Sequence, residues 1–174
     1  FNKYIKSLNI VLEIKKNSIK NLTRLAQLSQ RTNQFNSSAI RYDEKNLRKL
    51  LKNKSNSIYQ CSAKDKFGNY GIIGLIIAEN KNEKIIIKSF AMSCRALGRE
   101  IEINFFNFVI KSLSRNFNME VAILFKKTNK NKLVEDFLKK NCKRGLNWKK
   151  EIFFYPKISD SNKRVKLIKI NNEK

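Results

Sequence analysis

Phe90-Ala91-Met92-Ser93-Cys94-Arg95-Ala96-Leu97-Gly98-Arg99-Glu100-Ile101-Glu102 changes its period in mid-stretch. The β-branched run leading into it, residues 84–92, reads as a strand. Beyond Gly98 the apolar residues recur as Ile101, Phe105, Phe108, Val109 and Leu113, the spacing of one helix face. The stretch is therefore a strand, a short turn holding glycine, and a long amphipathic helix. The first turn of a helix has free backbone N–H groups and a partial positive charge, so such a turn can receive pyrophosphate. Gly98 permits close backbone approach, and Arg95 and Arg99 add two guanidinium forks suited to phosphate oxygens. The plain alternative is a glycine that eases the turn beside solvated arginines, and the motif alone leaves both open.

Upstream of this stretch, residues 58–63 and 71–78 are strand-like, and the Gly and Asn between them suit a hairpin. Asn80-Lys81-Asn82-Glu83 is a second turn, so three strands form an antiparallel meander with no room for a helix in either connection. Residues 119–125 form the next strand. It should lie parallel to residues 84–92, because a helix joins the two. Before the meander come a strand at residues 10–14 and a helix with Asn17-Ser18 as its N-cap and Ile19, Leu22, Leu25, Ala26 and Leu28 on one face. That helix fails at Arg31-Thr32-Asn33, and Asp43 caps another over residues 43–52. A helix over residues 132–140, with Leu133, Val134, Phe137 and Leu138 inward, and strands at 148–155 and 164–170 close the chain. The order is β-α-α-β-β-β-α-β-α-β-β, an α+β domain spanning residues 1–174. Where its two parallel strands diverge an opening forms, and ligands favour such openings, so the anion site is predicted at residues 93–98.

Composition narrows the chemistry. The chain of 174 residues contains no histidine, which removes Ser-His-Asp and Cys-His nucleophile systems and HExxH metal sites at once. Its formal net charge of +24 attracts phosphates, nucleic acid, anionic membrane or an acidic protein. The basic residues are spread along the whole chain among many Lys, Asn and Ile, as base-composition bias would also give. No aromatics interleave with a basic strand and no helix-turn-helix is visible, which disfavours nucleic acid. Cys61, Cys94 and Cys142 are widely spaced with no CxxC, against a disulfide framework or zinc site, so no metal is expected. No signal peptide is visible and the longest apolar run, residues 71–78, is too short to cross a bilayer. A reduced, cytoplasmic setting is expected. The chain opens in mid-pattern at Phe1 and reads as a piece of something longer.

Strand order and motif position together resemble the GNAT acyltransferase fold, a mixed central sheet of about seven strands with helices on both faces. The resemblance implies that Arg95, Ala96, Leu97, Gly98 and Arg99 grip the pyrophosphate of coenzyme A while the splayed strands hold its pantetheine. The signature is Gln/Arg-x-x-Gly-x-Gly/Ala. Here Glu100 takes the last small position, and a carboxylate beside a pyrophosphate is electrostatically unfavourable.

Four stretches resemble something narrower: residues 24–36 with Thr32-Asn33-Gln34-Phe35-Asn36, then Arg41-Tyr42, Asp65-Lys66-Phe67-Gly68-Asn69-Tyr70-Gly71, and Ser93-Cys94-Arg95-Ala96-Leu97-Gly98-Arg99. Together they are similar to the C-terminal GNAT-like half of FkbH-like proteins, also called HAD-superfamily phosphatase subfamily IIIC. The likeness runs over roughly residues 8–140 and weakens beyond. The phosphatase half that precedes this domain in the family has no DxDx(T/V) motif in this chain. The resemblance implies transfer of a glyceryl or phosphoglyceryl acyl unit to the phosphopantetheine thiol of an acyl carrier protein, with the phosphatase half as a further partner. The cofactor would be coenzyme A or a phosphopantetheine thioester.

The resemblance also makes Cys94 the acyl-accepting thiol. A thiol before a helix N-terminus and flanked by Arg95 and Arg99 should favour its thiolate, while the alternative is a small residue packing at a strand end. Thr32, Asn33, Gln34 and Asn36 offer uncharged donors and acceptors to a polyol or amide substrate, or terminate the helix and cap turns. Arg41 binds a substrate phosphate or carboxylate, or caps the next helix. Asp65 is a candidate general base, or a turn-capping carboxylate. Two other functions compete with the relay: direct N- or O-acetyl transfer from acetyl-CoA, and a degenerate domain that only positions its phosphatase partner.

Overall fold

The computed structural model describes residues 2–117, 119–148, 151–157 and 169–173. Among the described residues eight strands form one mixed sheet in the order β6-β7-β5-β4-β3-β2-β1-β8. The strands are β1 (Val11–Lys16), β2 (Asn56–Asp65), β3 (Gly68–Lys81), β4 (Lys84–Met92), β5 (Glu120–Phe125), β6 (Cys142–Trp148), β7 (Glu151–Pro156) and β8 (Lys169–Glu173). The helices are α1 (Asn2–Ser7), α2 (Leu22–Arg31), α3 (Glu44–Lys52), α4 (Ile101–Phe117) and α5 (Lys132–Asn141). The expected α+β architecture with helices on both faces is what the chain forms.

The meander β2-β3-β4 is antiparallel, as its short connections require. Asn82 and Glu83 both have positive φ, 50° and 59°, the conformation a two-residue hairpin loop needs to match strand twist. β4 and β5 run parallel, with Lys84 opposite Glu120 and Ile87 opposite Ile123. One face of the sheet packs Ile101, Phe105, Val109 and Leu113 of α4 together with Ile5 of α1 and Val134 and Leu138 of α5. The other face packs Leu22, Leu25 and Leu28 of α2 and Leu47 of α3 against Ile58, Leu75 and Ile77. Close approach matters at Gly74 in β3, where a Cβ would lie 2.9 Å from the ring of Phe105 and 3.2 Å from Cys61 Cβ.

Several expectations need correcting. The helix with the Asn17-Ser18 cap starts later, at Leu22, because Asn17 is engaged by β2: its Oδ1 accepts the Ile58 N–H at 2.8 Å. Ile19 consequently stands 66% exposed. Asp43 does cap α3, accepting the Asn46 N–H at 2.6 Å. Leu133, expected inward, is 47% exposed. The strand expected over residues 148–155 is two elements, with Trp148 ending β6 and β7 starting at Glu151. β6 leaves α5 with no intervening loop, since the Cys142 N–H still donates to Leu138 C=O. The strand expected at residues 164–170 lies outside the described residues up to 168, and Lys169 begins β8. Among the described residues no helix is long and apolar enough to cross a membrane.

Candidate functional site

The site predicted at the divergence of the parallel strands is real as a divergence. The β4–β5 ladder stops at Ile87 and Ile123, while β4 continues to Met92. The gap beyond is filled by the chain itself. The loop after α2 enters it, and Asn36 forms an antiparallel bridge to Ala91. The Ser37 N–H donates to Phe90 C=O at 3.0 Å, and the Met92 N–H to Phe35 C=O at 2.9 Å. The Phe90 N–H donates to Ser37 Oγ at 3.0 Å. On the β5 side, the Lys126 N–H donates to Ser37 C=O at 2.9 Å. The loop therefore serves both diverging strands as a short ninth strand would, leaving few backbone groups for anything else.

Asn131, buried just before α5, locks this arrangement. Its Nδ2 donates to Asn36 C=O at 3.1 Å and Lys126 C=O at 2.9 Å, while its Oδ1 accepts the Thr128 N–H at 2.9 Å. Nothing in the sequence marks Asn131 beyond a polar run before a helix. Its role exists only once residues 36 and 126 are neighbours.

The polar loop divides into two kinds of residue. Thr32 and Asn36 are buried. Asn36 holds its own turn, its Oδ1 accepting the Ala39 N–H at 3.1 Å and its Nδ2 donating to Ile40 C=O at 3.2 Å. The capping alternative describes its geometry. Asn33 and Gln34 are exposed. Asn33 Oδ1 accepts from the Arg41 guanidinium, and Gln34 Oε1 accepts from the Cys94 thiol at 3.4 Å. Cys94 is exposed, whereas Cys61 and Cys142 are buried. Asn33, Gln34, Arg41 and Cys94 thus share one solvent-facing rim.

The turn after β4 differs from the expected one. Cys94–Ala96 form a 3₁₀ turn and α4 begins only at Ile101, so the thiol does not stand at the N-terminus of the long helix. Gly98 is exposed with φ +79°, the left-handed conformation that favours glycine. Arg95 turns to the β2–β3 hairpin, where its Nη2 donates to Tyr70 C=O at 2.9 Å. Arg99 turns the same way: its guanidinium lies 5.1 Å from the Tyr70 ring centroid, and its Nη1 is 3.9 Å from Asp65 Oδ2. Arg95 is thus bonded to the hairpin, while Arg99 faces it with its buried Nη1 making no hydrogen bond.

Asp65 is the centre of that lock, with its side chain 1% exposed. Its Oδ1 accepts the N–H groups of Phe67 at 2.8 Å and Gly68 at 3.1 Å, and its Oδ2 accepts the Tyr70 hydroxyl at 2.5 Å. Burial acts to raise its pKa, but the donors and the Arg99 charge outweigh it and hold the carboxyl below the ordinary range. A carboxylate so occupied ties the hairpin to the turn, the capping alternative in geometric form. Tyr70, which links the two arginines to Asp65, had no role in the sequence reading.

Two carboxylates, Glu100 and Glu102, belong to the turn and the start of α4. Glu100 takes a positive φ of 61°, and its C=O accepts both the N–H and the Nδ2 of Asn104, at 3.1 and 2.7 Å. Glu100 Oε2 and Glu102 Oε2 are both buried without a hydrogen-bond partner. Burial pushes the Glu102 carboxyl above its ordinary value and the Glu100 charge adds to it, against the backbone N–H groups of Glu102 and Gly98. Its folded pKa is thus raised, so the ionised form is what the fold disfavours, and stability falls as pH rises from the ordinary carboxylate value through the raised one. Glu102→Gln is accordingly expected to raise the melting temperature at pH 7 and to leave it unchanged near pH 4, as thermal unfolding monitored at the two pH values would check.

A cavity of about 450 Å³ opens beside the rim, lined by Ile40, Arg41, Tyr42, Asn46 and Lys49 among others. It pairs two cations with an apolar wall. Burial, with the Glu79 charge, pushes the Tyr42 hydroxyl up to about 12, so it stays protonated. A second cavity of about 450 Å³ lies by Glu13, Asn21, Ser62 and Lys64, with Asn69 and Gly71 of the hairpin stretch on its wall.

No family model matches the sequence, and the search of curated proteins gave no match. Solved structures do match. The ribosomal-protein-S18-alanine N-acetyltransferase of Escherichia coli superposes with a TM-score of 0.60 at 9% identity, over 86% of this chain and 97% of that one. The PaiA N-acetyltransferase of Thermoplasma acidophilum, solved in complex with coenzyme A, gives 0.56 at 14% identity, over 84% and 98%. The PseH N-acetyltransferase of Campylobacter jejuni gives 0.54 at 17%, over 86% and 99%. The chain has the GNAT-like fold. These matches are to N-acetyltransferases, and none of the three is an FkbH-like protein.

The residues do not fit the coenzyme A that this fold implies. The turn that would take its diphosphate carries the Glu100 and Glu102 carboxylates, and its pantetheine would need the β4 edge that Phe35 and Ser37 already use.

Proposed function

We propose that this chain is an acyltransferase that takes the acyl group onto Cys94 and passes it to a second nucleophile at the same rim. The observation that carries this reading is the placement of the one exposed thiol of three. It lies at the end of β4, beside the divergence of the parallel strands, and is held by Gln34 from the facing loop. In the first step the Cys94 sulfur, its proton lost to solvent, forms a bond to the carbonyl carbon of an acyl thioester. The donor's C–S bond breaks and the departing thiolate takes up a proton. In the second step the acceptor's thiol, hydroxyl or amine displaces Cys94, which recovers its proton. An acidic acyl carrier protein is the partner that the charge of +24 suits, because opposite fields steer encounter. A HAD phosphatase half joined to this domain would fit the same reading.

Direct transfer from acetyl-CoA to an amine or hydroxyl is the second reading. It is favoured by the neighbours, which are N-acetyltransferases. Intact-mass spectrometry after incubation with S-acetyl-N-acetylcysteamine tests the relay. An acetyl adduct mapped to Cys94 supports it; an unmodified Cys94 while an acceptor is acetylated favours direct transfer.

A further inference from the structure

We infer that the gap between β4 and β5 is not a donor channel in this protein: the chain seals it, and an acyl thioester reaches Cys94 only from the solvent-facing rim. The inference deepens the acyl-transfer reading and rests on it for the identity of the donor. Two features of the sheet and core carry it, and a third at the turn adds to them.

Along the sheet, the loop provides the hydrogen bonds that an arm laid on the β4 edge would seek. The Phe90 C=O and the Met92 and Phe90 N–H groups are taken from one side, and the Lys126 N–H from the other. Between the helices, the path past the sheet is filled with rings. Phe35 lies 5.1 Å from Phe90 and 5.4 Å from Phe137, and Phe90 stacks on Phe106 at 5.7 Å with 19° between planes. Phe137 completes the cluster from α5, 5.4 Å from Phe106, and Phe105 closes its far side at 6.2 Å from Phe90. Four of the five are at most 3% exposed. At the turn, the Glu100 and Glu102 carboxylates disfavour a diphosphate, Arg95 is bonded to Tyr70 C=O, and Arg99 faces Asp65 at 3.9 Å with its buried Nη1 making no hydrogen bond.

A seal differs from a lid in what its removal would expose. Withdrawing residues 35–38 would draw Phe35 out of the core and leave Asn131 Nδ2 without its Asn36 partner. A donor arm re-forming the β4 bonds would restore neither. The donor class that fits is therefore a thioester whose acyl end reaches the rim without its arm lying along the β4 edge.

The test uses the whole chain with coenzyme A as probe at about 1 mM, the upper end of ordinary substrate constants. Amide hydrogen exchange of Ser37 and Lys126 is the readout, because those two N–H groups lose their acceptors if the loop leaves, whatever takes its place. Unchanged slow exchange is expected. It is also expected that coenzyme A fails to slow labelling of Cys94 by S-acetyl-N-acetylcysteamine. Weak binding that vanishes at high salt while both amides stay protected also supports the seal, since it reports surface charge. Saturable binding that speeds exchange at Ser37 and Lys126, or that blocks labelling, overturns it. Absence of any Cys94 labelling would instead remove the acyl-relay reading, and the amides would still report on the seal.

Discussion

Phe35→Ala is expected to cost about 3–5 kcal/mol of folding stability, the range for truncating a buried phenylalanine, although the residue sits in a polar loop. Its ring is 3% exposed and packs edge-on against Phe90 and Phe137. Removing it takes away the hydrophobic transfer of a whole ring and leaves a void that Phe90, itself packed against Phe105 and Phe106, has little freedom to fill. At this chain length the loss corresponds to roughly 10 °C in melting temperature. The same change should uncouple the loop from the sheet. Exchange at the Ser37 and Lys126 amides should accelerate more than exchange in the β2–β3 ladder, because the ring anchors the bonds those amides make. Urea unfolding with residue-resolved exchange would check both parts. A variant as stable as the parent would show that Phe35 is an accessory to the core and that the loop is held by its hydrogen bonds alone.

The frame of this fold was legible because hydrophobic period carries it. Ile85-Ile86-Ile87 ahead of the turn and Ile101, Phe105, Val109 and Leu113 after it fix strand and helix without tertiary information. The parallel pairing of β4 with β5 followed from a topological rule. What remained hidden depends on partners distant in sequence. Residues 33–38 read as a polar loop with one stray aromatic, and only the edge that β4 exposes past Ile87 turns them into part of the sheet. β6 falls on residues left without an element between the helix expected to end at Lys140 and the strand expected from Trp148; as an edge strand it pairs with β7 alone and can carry charge. The arginines show the limit most clearly. Sequence gives Arg95 and Arg99 a charge and a position near Gly98, but their direction is set by Asp65 and Tyr70 on the hairpin. Glu100 was the visible warning, and Glu102 on the following turn reinforces it.

Cys94→Ser separates the two modes of acyl transfer, with the larger effect expected on turnover. The side chain is exposed and makes a 3.4 Å hydrogen bond to Gln34, so melting temperature should move by less than about 2 °C, as for surface changes generally. If Cys94 carries the acyl group, the variant loses the covalent adduct outright. Turnover to an acceptor should then fall by at least about 1,000-fold, because an unassisted serine hydroxyl is a far weaker nucleophile than a thiolate. If acetyl passes directly from donor to acceptor, the change should stay within a few-fold, confined to whatever Gln34 contributes to placing the acceptor. Gln34→Ala sharpens the distinction. Under the relay it should slow adduct formation by a modest factor through loss of the thiol's partner, leaving the second step intact. Under direct transfer it should act on the acceptor's apparent affinity and leave donor consumption in the absence of acceptor at its background value. Single-turnover measurements with acyl donor alone and then with acceptor added would resolve the two steps. Equal activity of Cys94→Ser and parent in both would leave the rim without its nucleophile and remove the relay.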